Sequence, residues 1–314
     1  MKDIVSIIIP YYNRPVKLQR ALDAVLNQTY QDFEIILIDD CSEKTPIIPK
    51  NNAINYVRNS KNEGPGYSRN VGLKLAKGDY VCFLDSDDYW HPKFLERCVE
   101  VIEQSGTEVA FVYVKTIHVK NGVELGKANK SKISESTILP NLLIRGRPWD
   151  TPACLWDKHV LNKHEGWINT RNWEDYAFDI CAALNNNTII AINEHLLYVD
   201  TEGDHKLSEQ NKNIIETEKS KSLAFISQTL KNSMYFDDDL IRNQVTLHLI
   251  NNTIALLILN GNKKKYINAN IKSLKAWNSP IFVILISVLT KLPVKIGLVL
   301  LRRIRIKFQN HNHV

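Results

Sequence analysis

Cysteine, glycine and proline are all scarce in this chain. Its 314 residues include 5 Cys, 12 Gly and 11 Pro, whereas 44% of the side chains are hydrophobic. An odd number of scattered cysteines without a C-x-x-C pair excludes a disulfide framework and a cysteine zinc site, so we expect reduced thiols. Low glycine and proline exclude collagen-like and proline-rich architectures. The hydrophobic content excludes disorder, because a sizeable core can form.

Acidic residues are absent from the C-terminal part of the chain. Residues 261–314 contain eleven Lys or Arg and no Asp or Glu, which leaves 29 basic and 34 acidic residues in 1–260. The net charge of +6 therefore combines an acidic body with a cationic tail. A secretory signal is also missing, because the first apolar run has neither a charged leader nor a small-residue cleavage site. We therefore expect a cytoplasmic location.

Strands and helices alternate along the first hundred residues. Apolar runs predict strands at 5–9, 34–38, 54–57 and 80–84, and helical spacing predicts helices at 16–27, 67–77 and 92–104. This alternation predicts an α/β fold with a Rossmann-like, mostly parallel sheet flanked by helices. Such sheets bind ligands at the carboxyl ends of their strands. From residue 208 onward the pattern predicts a helical C-terminal extension.

Acidic residues follow two of these predicted strands. Asp85-Ser86-Asp87-Asp88 ends one strand, and carboxylates two residues apart can bind a hard divalent cation when substrate phosphates supply further ligands. The alternative is a solvated acidic turn. Asp39 ends another strand and can accept a hydrogen bond from a uracil or guanine N–H, or it can cap the turn around Ser42.

Four sequence motifs occur in order over these elements. They are V-S-I-I-I-P-Y-Y-N at 5–13, D-D-C-S at 39–42, N-E-G-P-G-Y-S-R-N-V-G at 62–72 and L-D-S-D-D at 84–88. In this order and spacing they resemble the signature of family 2 glycosyltransferases, which are inverting nucleotide-sugar enzymes with the GT-A fold. The resemblance is close over 4–105 and loose over 106–208. It implies a nucleotide-sugar-binding half (1–105), an acceptor-binding and catalytic half (106–207) and a helical basic region (208–314).

The resemblance also implies a donor site and a metal site. The implied donor-binding residues are Pro10, Tyr11, Asp39, Arg69, Asp85 and Ser86. Tyr11 is expected to place its ring against the nucleobase, and Asp39 to bond its edge. Asp87 is expected to bind a Mn²⁺ or Mg²⁺ ion that bridges the diphosphate, with Asp88 orienting the ion and His205 near the pyrophosphate.

An acidic pair is expected to catalyse the transfer. Glu174 and Asp175 match the family's acidic pair at the start of a helix, and Asp175 is the expected base that deprotonates the acceptor hydroxyl. The simpler alternative is that both acids complement the helix dipole. By resemblance, Trp149, Asp150 and Trp173 are expected to bind the acceptor.

The activity implied is that of an inverting hexosyltransferase. It moves a hexose or N-acetylhexosamine from a nucleotide sugar to a hydroxyl of a lipid-linked glycan acceptor in surface polysaccharide biosynthesis. UDP is the expected nucleotide, with GDP and dTDP left open. A nucleotide-sugar-binding module and a processive synthase-like protein are the alternatives, although the Gln-x-x-Arg-Trp motif of such synthases is missing. A dinucleotide oxidoreductase is excluded, because the turn at 10–13 has no glycine.

The cationic tail predicts contact with a membrane. Its apolar pieces at 281–289 and 296–301 are shorter than the ~20 residues of a spanning helix. Six Lys or Arg lie between Lys291 and Lys307. We therefore expect residues 280–308 to attach peripherally to the anionic cytoplasmic face of the inner membrane. Packing on the body and homodimerisation are the alternatives. Nucleic-acid binding is not expected, because the basic stretch 291–307 has no aromatic platform apart from Phe308, which follows it.

Overall fold

The chain divides into two compact units. The structure is a computed structural model that describes residues 4–163, 166–202, 211–259, 263–278, 280–291 and 294–310. The first unit comprises Met1–Asn169 with Cys181–Asp204, and the second comprises Thr170–Ile180 with His205–Val314. His205 itself, expected near the metal, lies outside the described residues.

One sheet organises the first unit. Over the described residues its nine strands are β1 (Val5–Tyr11), β2 (Phe33–Asp39), β3 (Ile54–Arg58), β4 (Tyr80–Phe83), β5 (Tyr89–Trp90), β6 (Phe111–Lys120), β7 (Val123–Lys127), β8 (Cys154–Asp157) and β9 (Ile189–Asp200). Their order is β3-β2-β1-β4-β8-β6-β9-β5, and β7 pairs with β6. Strands β1 to β4 are parallel, as predicted, but β8 runs antiparallel to both β4 and β6. The complete sheet is therefore mixed.

Helices follow the strands of this unit, and the first three lie where the periodicity predicts them. They are α1 (Pro15–Leu26), α2 (Pro65–Leu75), α3 (Phe94–Gln104), α4 (Asn141–Arg145), α5 (Lys158–Asn162) and the end of α6 (Glu174–Asn185). All residues of β1 are buried, as expected of a β-branched strand in the centre of an α/β sheet. The predicted strand–helix alternation is present.

The position of α2 depends on two glycines. Gly64 has a φ of 91°, which a glycine adopts without strain, and Pro65 follows at the first helical position. Further along, Gly72 faces β1 so closely that an added Cβ would lie 2.4 Å from Ile8 Cγ2. The absence of a side chain at residue 72 therefore lets α2 lie directly on the sheet.

The second unit is helical, as predicted. It contains the start of α6 and the helices α7 (Lys212–Lys231), α8 (Asp239–Ile258), α9 (Lys264–Trp277), α10 (Pro280–Leu289) and α11 (Val294–Asn310). Buried amides connect three of them: Asn270 Nδ2 donates to Asn252 Oδ1 (2.8 Å), and the Ser220 hydroxyl donates to Asn270 Oδ1 (2.9 Å). These bonds fix the register of α7, α8 and α9. Among the described residues, no helix has both the length and the apolar character needed to cross a bilayer.

Candidate active site

The two acidic clusters of the first unit lie at one edge of the sheet. Strand β1 lies between β2 and β4, and Ile8 is level with both Ile36 and Phe83. Because the three strands are parallel, β2 and β4 end at the same edge, about 10 Å apart across two strand spacings. Asp39 is the last residue of β2, and Asp85 comes two residues after the end of β4. The carboxyl edge therefore gathers these acids as the sequence predicts.

Asp39 is held by donors on both carboxylate oxygens. Its Oδ1 accepts the Ser42 backbone N–H (2.8 Å), which is the turn cap considered above. Its Oδ2 accepts the Tyr56 hydroxyl (2.8 Å) and Arg58 Nη1 (2.7 Å), both from β3. Asp39 is completely buried, whereas the Arg58 side chain is 43% exposed. The accessible polar group at this end of the edge is therefore the Arg58 guanidinium.

Asp40 holds the loop that leads into α2. Its Oδ2 accepts the Gly64 N–H (2.7 Å), and its Oδ1 accepts the Glu63 N–H (3.0 Å) and the Asn59 amide (2.9 Å). These bonds fix the start of α2 and hence the position of Arg69, which lies on that helix.

Arg69 is a buried cation beside the second acidic cluster. Its Nη2 donates to Asp85 Oδ1 at 2.6 Å, and its guanidinium lies 4.4 Å from the centre of the Trp167 ring. Arg69 is only 5% exposed. The ion pair and the cation–π contact together hold the guanidinium in one place.

The surroundings of Asp87 and Asp88 disfavour the ionised form of both carboxyl groups. Burial raises the pKa of Asp87, the Asp85 carboxylate raises it further, and the Arg14 guanidinium that pairs with Asp87 opposes the rise. Burial also raises the pKa of Asp88 well above its ordinary value, and Asp87 and Asp85 add to it. Asp88 Oδ1 accepts the Asp200 backbone N–H at 3.1 Å.

This donor set fits a divalent cation of the magnesium type. Carboxylate oxygens are the ligands such an ion prefers, and it uses one or two of them together with waters and substrate phosphates. Burial and the neighbouring carboxylates raise the pKa of Asp87 and of Asp88, and a cation bound there would stabilise their ionised forms. Within the described ranges, no group of three or more His, Cys, Asp or Glu side chains is arranged so that it could hold a metal ion by itself.

The first motif places its aromatic residues differently from the expectation. Pro10 is buried in β1, and Tyr11 is 1% exposed with its hydroxyl donating to the Lys44 carbonyl (2.5 Å). The ring of the next residue, Tyr12, is on the surface, with 45% of the residue exposed. Ser86 is also nearly buried, at 6% exposure. Tyr12 is therefore an accessible aromatic ring beside this edge, as is Tyr56, which is 37% exposed and bonded to Asp39.

Trp149 and Asp150, the expected acceptor residues of this unit, have structural partners. Trp149 is completely buried and packs edge-on against Phe111, with ring centres 5.1 Å apart. Asp150 pairs with Lys130 and accepts the Thr116 hydroxyl at 2.7 Å. Burial would raise the pKa of Asp150, but the Lys130 ammonium and these hydrogen bonds outweigh it and lower the pKa.

The acidic pair opens α6 within the second unit. Glu174 and Asp175 occupy the first helical turn, and both are partly exposed. Trp173 precedes them with a φ of 63°, a left-handed conformation that is uncommon for a non-glycine residue. Its ring stacks on Tyr176 (4.3 Å) and lies 4.1 Å from the Lys219 ammonium. Trp173 is thus packed into the helical unit directly beside the acids.

Several residues that hold the site were not identified from the sequence. Arg14, Arg58 and Trp167 contact Asp87, Asp39 and Arg69, respectively. Basic side chains distant in sequence from the acids they neutralise give no local pattern. Tyr12 follows directly after β1, which is buried on both faces, so alternation gave no signal for its exposure.

The chain is similar to known glycosyltransferases. The model of the family "Glycosyl transferase family 2" matches residues 6–151. An uncharacterised glycosyltransferase of Haemophilus influenzae is 38% identical over 112 residues, which are 35% of this chain and 38% of that protein. A glycosyltransferase of Rickettsia felis is 34% identical over 207 residues, 63% of this chain and 33% of that protein. The chain thus spans about a third of the length of these two relatives.

Two staphylococcal proteins match over more of their length. The poly(ribitol-phosphate) β-N-acetylglucosaminyltransferase TarP of Staphylococcus aureus is 28% identical over 290 residues, 85% of this chain and 83% of TarP. The crystal structure of S. aureus TarS 1–349 in complex with UDP-GlcNAc superposes with a TM-score of 0.70 at 20% identity, covering 88% of this chain and 82% of that one. The structural match confirms the predicted GT-A-type α/β fold with C-terminal helices. With its motifs and the family match, residues 6–151 of the chain belong to glycosyl transferase family 2.

Proposed function

We propose that this protein is an inverting glycosyltransferase that transfers a sugar from a UDP-sugar to an acceptor hydroxyl. The observation that carries the proposal is the common edge where β2 and β4 end, about 10 Å apart. That spacing suits a nucleotide sugar lying across β1, with its base near Asp39 and its diphosphate near Asp85 and Asp87. Ligands of α/β sheets bind at such carboxyl edges.

The nucleobase end of the site offers exposed aromatic rings and a guanidinium. Tyr12 supplies exposed aromatic surface for packing against a base, and Arg58 supplies N–H donors for its carbonyl oxygens. Asp39 orients Arg58 through their 2.7 Å ion pair. In this arrangement Asp39 positions Arg58 for a hydrogen bond to the nucleobase. If the Arg58 side chain moves away, Asp39 can bond to the nucleobase directly.

The diphosphate end combines carboxylates with cations. Asp87 and Asp85 would hold a Mg²⁺ or Mn²⁺ ion, which when bound neutralises charge on the departing nucleoside diphosphate. Asp88 stays behind them, fixed by the backbone of Asp200. Arg69 keeps Asp85 in place from its buried position on α2.

Asp175 is the proposed general base. Asp175 lies in the first turn of α6, and a positioned carboxylate can accept the proton of a reacting hydroxyl. Asp175 takes the proton of the acceptor hydroxyl while the hydroxyl oxygen attacks the anomeric carbon. On the opposite side of that carbon, the bond to the nucleoside diphosphate oxygen breaks. One displacement inverts the anomeric centre, and no covalent enzyme intermediate forms. Glu174 lies next to Asp175 in the same helical turn.

The relatives suggest which substrates to test first. TarP is named as transferring N-acetylglucosamine to poly(ribitol-phosphate), and TarS was crystallised with UDP-GlcNAc. We therefore propose UDP-GlcNAc, or another UDP-hexose, as the donor. The proposed acceptor is a hydroxyl of a lipid-linked surface glycan or polyol phosphate, assembled at the cytoplasmic face of the membrane.

Release of nucleoside diphosphate tests this proposal. The purified chain is incubated with UDP-, GDP- and dTDP-sugars, with Mn²⁺ or with a chelator, and in the presence of candidate acceptors. We expect UDP release only with a metal and a UDP-sugar. Binding of UDP-sugars without turnover on any acceptor would instead favour a binding module.

Two variants separate binding from catalysis. Asp87→Ala should abolish metal-dependent UDP binding, whereas Asp175→Asn should keep UDP affinity and lose roughly 10²–10⁴-fold in turnover. Glu108→Gln, an exposed acid of the first unit, is the matched control and should behave as wild type. Wild-type turnover by Asp175→Asn would move the base to another residue.

A further inference from the structure

Two helices of the second unit expose apolar side chains to solvent. On α10, Val283, Ile286 and Leu289 are buried, but Ile284 is 63% exposed. Leu285 and Val288 on the same helix are 46% and 50% exposed, and Ile296, Val299 and Ile306 on α11 are 53%, 51% and 51% exposed. A helix that is apolar on the buried and the exposed side is unusual for a protein surrounded by water.

Basic side chains lie among these apolar ones. At 100° per residue, Ile296, Val299, Arg302, Arg303 and Ile306 share one face of α11 about 120° wide. All five are exposed. On α10, residues 284, 285 and 288 likewise share a face, and the exposed Lys291 follows it one turn later. We call these two surfaces the apolar–basic faces.

The sequence around the apolar–basic faces has no acidic residues that could neutralise their positive charge. Residues 261–314 contain no Asp or Glu. A complementary surface must therefore be negatively charged and must also accept aliphatic side chains. The interface of a bilayer with anionic lipids has both properties, because its phosphates lie directly above its acyl chains.

We propose that the apolar–basic faces of α10 and α11 dock this protein on an anionic lipid surface. Ile284, Val288, Ile296 and Val299 enter the boundary between headgroups and acyl chains, and Arg302 and Arg303 bind lipid phosphates. Each basic residue near such a surface strengthens association about fivefold. The docking does not depend on donor chemistry, so it can be tested without substrate.

Flotation with lipid vesicles tests the proposal on the full chain. Vesicles of phosphatidylcholine alone are compared with vesicles of equal parts phosphatidylcholine and phosphatidylglycerol. We expect binding only to the anionic vesicles, and weaker binding as salt is raised. Arg302→Glu with Arg303→Glu should weaken binding by about 100-fold or more, because four units of charge change. Ile284→Gln with Val299→Gln should weaken it about tenfold at unchanged charge.

Matched controls place the same changes elsewhere. Lys74→Glu with Lys77→Glu changes the charge equally on exposed residues of the first unit, and Val123→Gln with Leu125→Gln removes exposed apolar side chains from β7. Both controls should float like wild type. Equal loss in the controls and the α10–α11 variants would overturn the proposal. So would a homo-oligomer that ignores anionic vesicles and dissociates in Ile284→Gln, because the faces would then bind a second copy.

Discussion

Trp173 provides a sensitive test of how the acidic pair is held. Its left-handed backbone, with φ 63°, comes directly before Glu174 and Asp175. Its ring stacks on Tyr176, meets His248 edge-on at 4.9 Å and lies against the Lys219 ammonium. The contacts come from α6, α7 and α8, so they compensate a backbone conformation that costs about 1–2 kcal/mol for a non-glycine residue.

Two substitutions separate the ring contacts from the backbone strain. Trp173→Ala keeps the strain and loses two aromatic contacts and one cation–π contact, each about 1 kcal/mol, so we expect destabilisation by about 3 kcal/mol. Trp173→Gly loses the same contacts but adopts the left-handed conformation freely, so it should be about 1 kcal/mol more stable than the alanine variant. Urea unfolding measures both differences.

The same variants should lower turnover without changing donor affinity. Once the ring is gone, the first turn of α6 is no longer held at one angle, and misplacement by about 1 Å can cost roughly 10²-fold in rate. UDP affinity should match wild type, because its proposed ligands belong to the first unit. Trp173→Phe, which keeps a stacking ring, should recover most of the rate. If Trp173→Ala transferred sugar at the wild-type rate, the packing around Trp173 would have no part in placing the acids.

Three further predictions concern the first unit. Gly72→Ala places a carbon 2.4 Å from Ile8 Cγ2 and should lower the free energy of unfolding in urea by about 1–3 kcal/mol; an unchanged value would refute the tight contact. Arg69→Met keeps the volume but removes the guanidinium, so calorimetry should show about tenfold or more weaker UDP binding, only partly restored in Arg69→Lys. Burial would raise the pKa of Asp150, but Lys130 holds it below its ordinary value, so ionisation stabilises the fold at neutral pH. In urea, Asp150→Asn should therefore be about 1 kcal/mol less stable at pH 7 and equal to wild type once the pH falls through the folded-state pKa; a constant difference would contradict this.

The N-terminal fold could be predicted because its signals are local. The β-branched run at 5–9 is too apolar for a surface strand, and its neighbours at 34–38 and 80–84 share the pattern. The antiparallel strands of the same sheet could not be predicted in this way. Strand β8 (Cys154–Asp157) has only four residues, and its pairing with β4 joins positions more than seventy residues apart. Such pairings are specified by tertiary packing, which periodicity does not report.

The site shows the same contrast: positions set by local sequence could be predicted, and contacts between distant residues could not. The position of Asp39 and Asp85 follows from strand ends, which the sequence marks clearly. Their partners do not follow, because Arg58 and Arg69 reach the acids from other elements. Trp149 illustrates the opposite error: the tryptophan of an expected acceptor loop is completely buried, because its ring fills the core beside Phe111. An aromatic residue near a motif is more often packed than exposed.

The charge at the carboxyl edge of the sheet is a physical reason to expect a bound cation. This reason does not depend on the family resemblance. Five carboxylates lie there, at residues 39, 40, 85, 87 and 88, and three of them pair with Arg58, Arg69 and Arg14. Asp40 and Asp88 are bonded by neutral N–H groups. A diphosphate brings further negative charge, and each pair of like charges about 6 Å apart costs about 3 kcal/mol at an effective dielectric constant of 20. The three arginines are already matched by carboxylates, and Lys17 and Arg20 beside Asp87 pair with Asp200, whereas one divalent ion supplies two positive charges at the point of contact. Donor binding that is insensitive to a chelator would therefore mean that the arginines exchange their carboxylate partners for the diphosphate.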